Sequence, residues 1–311
     1  MSAMTDSQYT SACVLYDLLH SKGDPMAARQ SPTLRRRRLS TELKRLRDGK
    51  GLTATEVARK LEWPVSKVTR MERGEWLRPS PHDIGRLLDV YGVVDEREHE
   101  ALTTLAREGR QRGWWHAYRE MISERYSTYI GLEAEASSVF SFQPLMMPGL
   151  IQTADYARAL ILGGPSELGV EEAELRAKIR TERQKILTDE DPARLWVVMD
   201  EAAIRRAVGG RDVMRAQLQH ALEITELAKV TLQVIPFSAG AHAGVGGAFA
   251  ILSFPHDSDP DAVYVETIAG ELFVEDPEEV GRYKVAFQRL TAMALSPGDT
   301  ITMIAAVAAE L

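Results

Sequence analysis

Residues 53–74, TATEVARKLEWPVSKVTRMERG, hold two short helical patterns separated by a turn that contains Pro64. Two helices joined this closely must pack on each other, and that restricts the chain more than any other feature. Thr53-x-x-Glu56 is a capping-box pattern, so a helix opens at Thr53. Val57, Ala58 and Leu61 form its inner stripe. Pro64 sits where the next helix begins, a position that tolerates a missing N–H. That helix runs to about Arg73 and stops at Gly74.

The flanking sequence supplies partners. Leu39, Leu43 and Leu46 recur at helical spacing, ending at Gly49 and Gly51. Ser80 and Pro81 open a fourth helix with Ile84, Leu87, Leu88 and Tyr91 inward, and Asp95 opens a fifth with Leu102 and Leu105 inside. On a wheel of about 100° per residue, Val68 and Met71 of the third helix fall together and face inward. Ser66, Thr69, Arg70 and Arg73 fall opposite, with Lys67 on the flank. A short helix held by its apolar face and showing hydroxyls and cations suits the DNA major groove, which is about 12 Å wide. Arg bridges guanine O6 and N7, while Ser and Thr adapt to several base edges. The second helix then lies across the backbone, with its amides near Thr53 aimed at a phosphate.

Charge points the same way. The chain carries −7, yet residues 31–75 hold thirteen Lys and Arg against six acids, a local +7. A positive block on an acidic chain suits a polyanion. A solvated basic helix face would give the same count.

The stretch ELKRLRDGKGLTATEVARKLEWPVSKVTRMERG resembles the XRE-type, phage-repressor-like helix-turn-helix over roughly residues 34–92. The matching features are Ala58, Leu61, Val68, Met71 and the closing Glu72-Arg73-Gly74. The resemblance implies an all-α, lambda-repressor-like DNA-binding domain that works as a homodimer on a double-stranded operator. It also implies a structural ion pair between Glu72 and Arg47. The turn departs from the family pattern, with Glu62 and Pro64 where Gly and a Ser or Thr cap are usual.

Three regions are expected: a tail over 1–32 with a short helix near 7–20, the helix-turn-helix domain over 33–111, and an α+β domain over 112–311. In the last, helical patterns occupy about 149–163, 171–188 and 210–228, with a final helix near 278–294. Strand-like runs fall at 194–200, 230–237, 247–254, 262–267 and 271–275, which suggests an antiparallel sheet with helices packed on it. RGWWHAYREM, 113–122, looks like the junction, with Trp114 and Trp115 read as core residues.

Chemistry is not visible in this region. GVGGAF, 244–249, lacks a phosphate-loop Lys and reads as a turn entering a strand. His220, His242 and His256 lack metal-ligand spacing. Asp257, Asp259 and Asp261 are followed by Ala262 and Ile268 where a calcium loop needs Gly and Glu. No Ser stands in a G-x-S-x-G context. No enzyme activity, metal or cofactor is expected. One cysteine, Cys13, excludes an internal disulfide and fits a reducing cytoplasm. Met1–Thr10 shows no basic segment before an apolar run, so no export signal or membrane association is expected.

Several long motifs of residues 112–311 occur in order: YIGLEAEASSVFSFQPLMMPGLIQTADYARALI, RLWVVMDEAAIRRAVGG, VTLQVIPFSAGAHAGVGGAFAIL and VYVET. They resemble the C-terminal domain of unknown function carried by actinobacterial XRE-type regulators, of which the WhiJ-like developmental regulators are named members. That resemblance implies a nucleoid-associated transcriptional regulator paired with a small BldB-like partner protein, in an antitoxin-like arrangement. The competing expectation is a small-molecule sensor, with loop 239–247 and Trp114/Trp115 lining its pocket.

Overall fold

The computed structural model describes residues 32–76, 78–164, 168–256 and 259–311. Apart from Pro32, the tail, its helix near 7–20 and Cys13 lie outside the described residues, as does Asp257. The chain divides into two compact units, one ending at His116 and the other beginning at Ala117.

Among its described residues the first unit is helical. Its helices are α1 Pro32–Gly49, α2 Ala54–Leu61, α3 Val65–Glu72, α4 Pro81–Tyr91 and α5 Glu96–Glu108. Their starts follow from local chemistry. Thr53, Ser80 and Asp95 each accept a backbone N–H at the helix N-terminus, satisfying donors that have no partner within the helix. The apolar stripes meet in one core of Leu39, Leu43, Val57, Ala58, Leu61, Val68, Met71, Ile84, Leu87, Leu88, Tyr91, Leu102 and Leu105. Beyond α5, Trp115 is buried at 6% exposure, as expected of a core residue, but Trp114 is 39% exposed.

The second unit is α+β, built on one six-stranded sheet in the order β3-β2-β1-β4-β5-β6. The strands are β1 Ser138–Gln143, β2 Arg194–Asp200, β3 Val230–Ile235, β4 Phe249–Ser253, β5 Ala262–Thr267 and β6 Gly270–Val274. The sheet is mixed rather than antiparallel. β1–β2 and β2–β3 are parallel, while β1–β4, β4–β5 and β5–β6 are antiparallel. The reason is β1, which the strand pattern missed. SVFSFQ sets two Ser and a terminal Gln among Val and Phe, yet it lies at the sheet centre. Its presence makes the helices before β2 a parallel crossover, and the helical connection from β2 to β3 is a second one. Before β1 stands α6, Glu124–Glu133. Between β1 and β2 lie α7, Ala154–Leu162, and α8, Val170–Arg183. Between β2 and β3 lie α9, Glu201–Arg205, and α10, Arg211–Ile224.

The remaining helices are α11, Pro277–Met293, and α12, Pro297–Glu310. From α11, Val280, Phe287 and Leu290 join Phe142, Val198, Ile235, Phe249, Ile251 and Val263 in the main core. The segment leading into α12 seals the outer edge of β3. Leu295 N donates to Val234 O at 2.9 Å, and Val234 N donates to Thr300 Oγ1 at 3.1 Å. Thr300 is therefore fully buried, and the edge strand has no row of open backbone groups there. No single described helix is long and apolar enough to cross a membrane.

A buried ion pair fixes α8 against α6. Arg183 Nε and Nη2 donate to Glu133 Oε2 and Oε1 at 2.6 and 2.7 Å, with side-chain exposures of 6% and 1%. Nη1 donates to Tyr126 Oη at 2.5 Å. Burial opposes the charge of Arg183, but the adjacent Glu133 carboxylate outweighs it and holds the guanidinium well above its ordinary pKa. Arg183→Met alone leaves a buried carboxylate unpaired and is expected to cost about 3–5 kcal/mol in urea unfolding of the full chain. The double variant Arg183→Met/Glu133→Leu is expected to recover much of that loss. A double variant less stable than either single one would contradict the pairing argument.

Candidate nucleic-acid interface

The outward face of α3 carries the sequence-derived contact set. Val68 and Met71 are buried, as the wheel requires. Ser66, Arg70 and Arg73 are exposed, and Thr69 is half-buried. Thr69 Oγ1 donates back to its own helix, with Val65 O at 3.3 Å and Ser66 O at 3.2 Å. Arg70 Nε rests on Ser66 O at 3.3 Å, which lays the guanidinium along the helix surface. Lys67 is engaged elsewhere: its Nζ pairs with Asp83 Oδ2 at 2.8 Å and lies 3.7 Å from the Trp63 ring centroid.

At the start of α2 the capping box is complete. Glu56 N donates to Thr53 Oγ1 at 3.2 Å, and Thr53 N donates to Glu56 Oε2 at 2.8 Å. The Thr53 backbone and hydroxyl donors hold the Glu56 carboxyl below its ordinary pKa. This helix end therefore already has an anion on the Thr53 amide. A phosphate there has to use the following amides and to approach Glu56. Two cations outside the sequence-derived set, Arg59 and Lys60, are exposed in the last turn of α2. Their signal was the charge count alone, which does not say which cations face outward.

Part of the positive block is bonded to groups of the fold itself. Arg35 pairs with Glu108 at 3.1 Å, and Arg45 with Glu42 at 2.7 Å and Glu98 at 3.4 Å. Arg36 Nη1 donates to Gly109 O at 3.1 Å.

The expected ion pair between α1 and the end of α3 is present and bidentate. Arg47 Nε and Nη2 donate to Glu72 Oε1 and Oε2 at 2.7 and 3.0 Å. Arg47 Nη1 also donates to Leu52 O at 2.7 Å, and Tyr91 Oη donates to Glu72 Oε1 at 3.4 Å. Side-chain exposures are 13% and 7%. The hydrogen bond to Glu72 raises the Arg47 pKa against the effect of burial.

The turn between α2 and α3 is closed by Trp63 N donating to Ala58 O at 2.9 Å. Glu62 adopts φ 57°, the one non-Gly positive φ among the described residues. A side chain there is strained, which is why Gly is usual at this position.

Two stability measurements follow. Glu72→Ala is expected to cost about 3 kcal/mol and to lower the melting temperature before it alters base preference. An unchanged melting temperature would place the pair outside the stability account. Glu62→Gly is expected to stabilise by about 1 kcal/mol, because it relieves the left-handed strain. Destabilisation on thermal unfolding would mean that the Glu62 side chain contributes contacts outweighing that strain.

Comparison with protein families gives two matches. Residues 38–102 match a helix-turn-helix domain, spanning α2, the turn and α3, and supporting a DNA-binding regulator. Residues 126–306 match a domain of unknown function, DUF5753. Comparison with curated proteins and with solved structures found no match. The second family match spans more than half of the chain, so the protein belongs to the DUF5753 family and carries that domain behind a helix-turn-helix domain.

Proposed function

We propose that the chain is a sequence-specific transcriptional regulator, without enzymatic activity, that reads a double-stranded operator with α3. The observation that supports this most is the exposed face of Ser66, Arg70 and Arg73 on a short helix whose opposite face, Val68 and Met71, is locked into the core. Arg70 reads a base edge, Ser66 and Thr69 adapt around it, and Arg73 meets the phosphate backbone together with Arg59 and Lys60 of α2. The protein acts as a homodimer, because two recognition helices one DNA turn apart multiply specificity. It works on the nucleoid in the cytoplasm.

The second unit binds a small partner protein. This part rests on the sequence resemblance to WhiJ-like actinobacterial regulators and their BldB-like, antitoxin-like pairing. Co-purification from native extract is expected to recover a small protein with the full chain and with its C-terminal unit. A second reading, a small-molecule sensor, is favoured by one feature. The Gly-rich loop after β3 runs past the carboxyl ends of parallel strands, where open α/β sheets bind ligands. It is pinned there by His242 Nε2 at 3.4 Å from Asp200 Oδ2. It also passes so near Phe142 that a Cβ on Gly244 would lie 2.2 Å from the ring. A ligand-induced rise in the melting temperature of the second unit would favour the sensor.

Arg70→Ala is expected to cost about 1–3 kcal/mol of binding to the selected operator and to change random-duplex binding far less. The check is a pair of titrations with operator and scrambled duplex. Equal losses on both would make Arg70 a phosphate contact.

A further inference from the structure

Asp83 and Arg86 stand three residues apart on α4 and so share one face. Each reaches one side of the α2–α3 turn. Arg86 Nη2 donates to Leu61 O, the last residue of α2, at 3.0 Å. Asp83 Oδ2 pairs with Lys67 Nζ of α3 at 2.8 Å. Trp63 of the turn lies between these two grips. Lys67 Nζ is 3.7 Å from its ring centroid, and Arg86 Cζ is 5.3 Å from it. The indole also packs on the helical core.

Backbone hydrogen bonds close this turn, but the residues at its two ends add little to them. Glu62 takes the left-handed conformation without being Gly. The α3 N-cap is Pro64, which makes no side-chain hydrogen bond. The orientation of α3 at its N-terminal end therefore has to come from elsewhere. Its C-terminal end is held by Glu72 on Arg47.

We propose that Trp63, Lys67, Asp83 and Arg86 form a cation–aromatic brace that sets the pitch of α3, making Trp63 a positioning residue for base reading and Lys67 part of the brace rather than a DNA contact. A cation over an indole face is attracted by the ring quadrupole, and a carboxylate on the same cation fixes where it sits. Loss of the ring leaves Lys67 on Asp83 and Arg86 on Leu61 O with no aromatic face between them, which loosens the N-terminal turn of α3. The consequence for DNA binding rests on the reading proposed above, but the brace itself does not.

Two measurements on the full-length chain test this. The first needs no DNA. Hydrogen exchange of α3 amides in Trp63→Ala is expected to accelerate about tenfold, with α1 and α5 amides unchanged, because the brace restrains one local element. Trp63→Phe keeps an aromatic face and is expected to restore most of the protection. Unchanged α3 exchange in Trp63→Ala, or acceleration across all five helices, overturns the brace. The second uses the duplex enriched from a randomised pool by the unaltered protein. Trp63→Ala is expected to lower the ratio of enriched-duplex to scrambled-duplex affinity about tenfold, with scrambled-duplex affinity nearly constant. Lys67→Met is expected to leave the salt dependence of binding unchanged, whereas loss of a phosphate contact lowers the slope by about 1. A lowered slope returns Lys67 to the DNA face and overturns its assignment. Failure of the unaltered protein to enrich any sequence defeats the DNA reading, and the exchange measurement then decides the brace alone.

Discussion

The bidentate pair between Arg47 and Glu72 ties the first helix of the N-terminal unit to the end of the third. Two residues of α3, Val68 and Met71, hold it in the core, but two apolar contacts on an eight-residue helix leave its rotation loosely set. The ion pair removes that freedom. It also draws Leu52 and Tyr91 into the same polar cluster, so the loop before α2 and the end of α4 are fixed by the same guanidinium and carboxylate. With the inner face decided, the outward face follows: Ser66, Arg70 and Arg73 are exposed, beside Val65 at the helix start.

The charge of this unit has a double use. Arg35, Arg36, Arg45 and Arg47 bond to groups on α1, α3, α5 and the segments beside them. Lys67 and Arg86 bond across the turn. Arg59 and Lys60 of α2 and Arg70 and Arg73 at the end of α3 remain exposed. A positive outer face can therefore coexist with a stable helical core, because carboxylates such as Glu72, Asp83 and Glu108 offset cations that would otherwise repel one another.

The helical unit was legible in the sequence because each boundary has a local cause. Thr53 and Glu56 form the box they spell, Ser80 caps where Pro81 predicts, and the Leu39/Leu43 and Leu87/Leu88 stripes are buried. The Arg47–Glu72 pair, 25 residues apart, was available only through the resemblance. Lys67 was placed by the wheel on a flank, and no wheel shows that Asp83 and Trp63 would hold it. In the second unit, strands with continuous apolar runs were readable, but β1 was not. Its Ser138, Ser141 and Gln143 dilute the apolar signal, and its place between β2 and β4 depends on pairings with strands about 55 and 110 residues later in the chain. Missing that strand hid the β1–β2 crossover, while the β2–β3 crossover was passed over although a helix was read between its two strands.

The account stands on α3 being a base-reading helix. The most direct test is selection of duplex DNA from a randomised pool by the full-length protein, followed by binding of the enriched duplex across a salt series. The account predicts one enriched sequence bound far more tightly than its scrambled version, with log K falling against log salt at a slope of about −3 or steeper. Equal binding of enriched and scrambled duplexes, or affinity indifferent to salt, would contradict it.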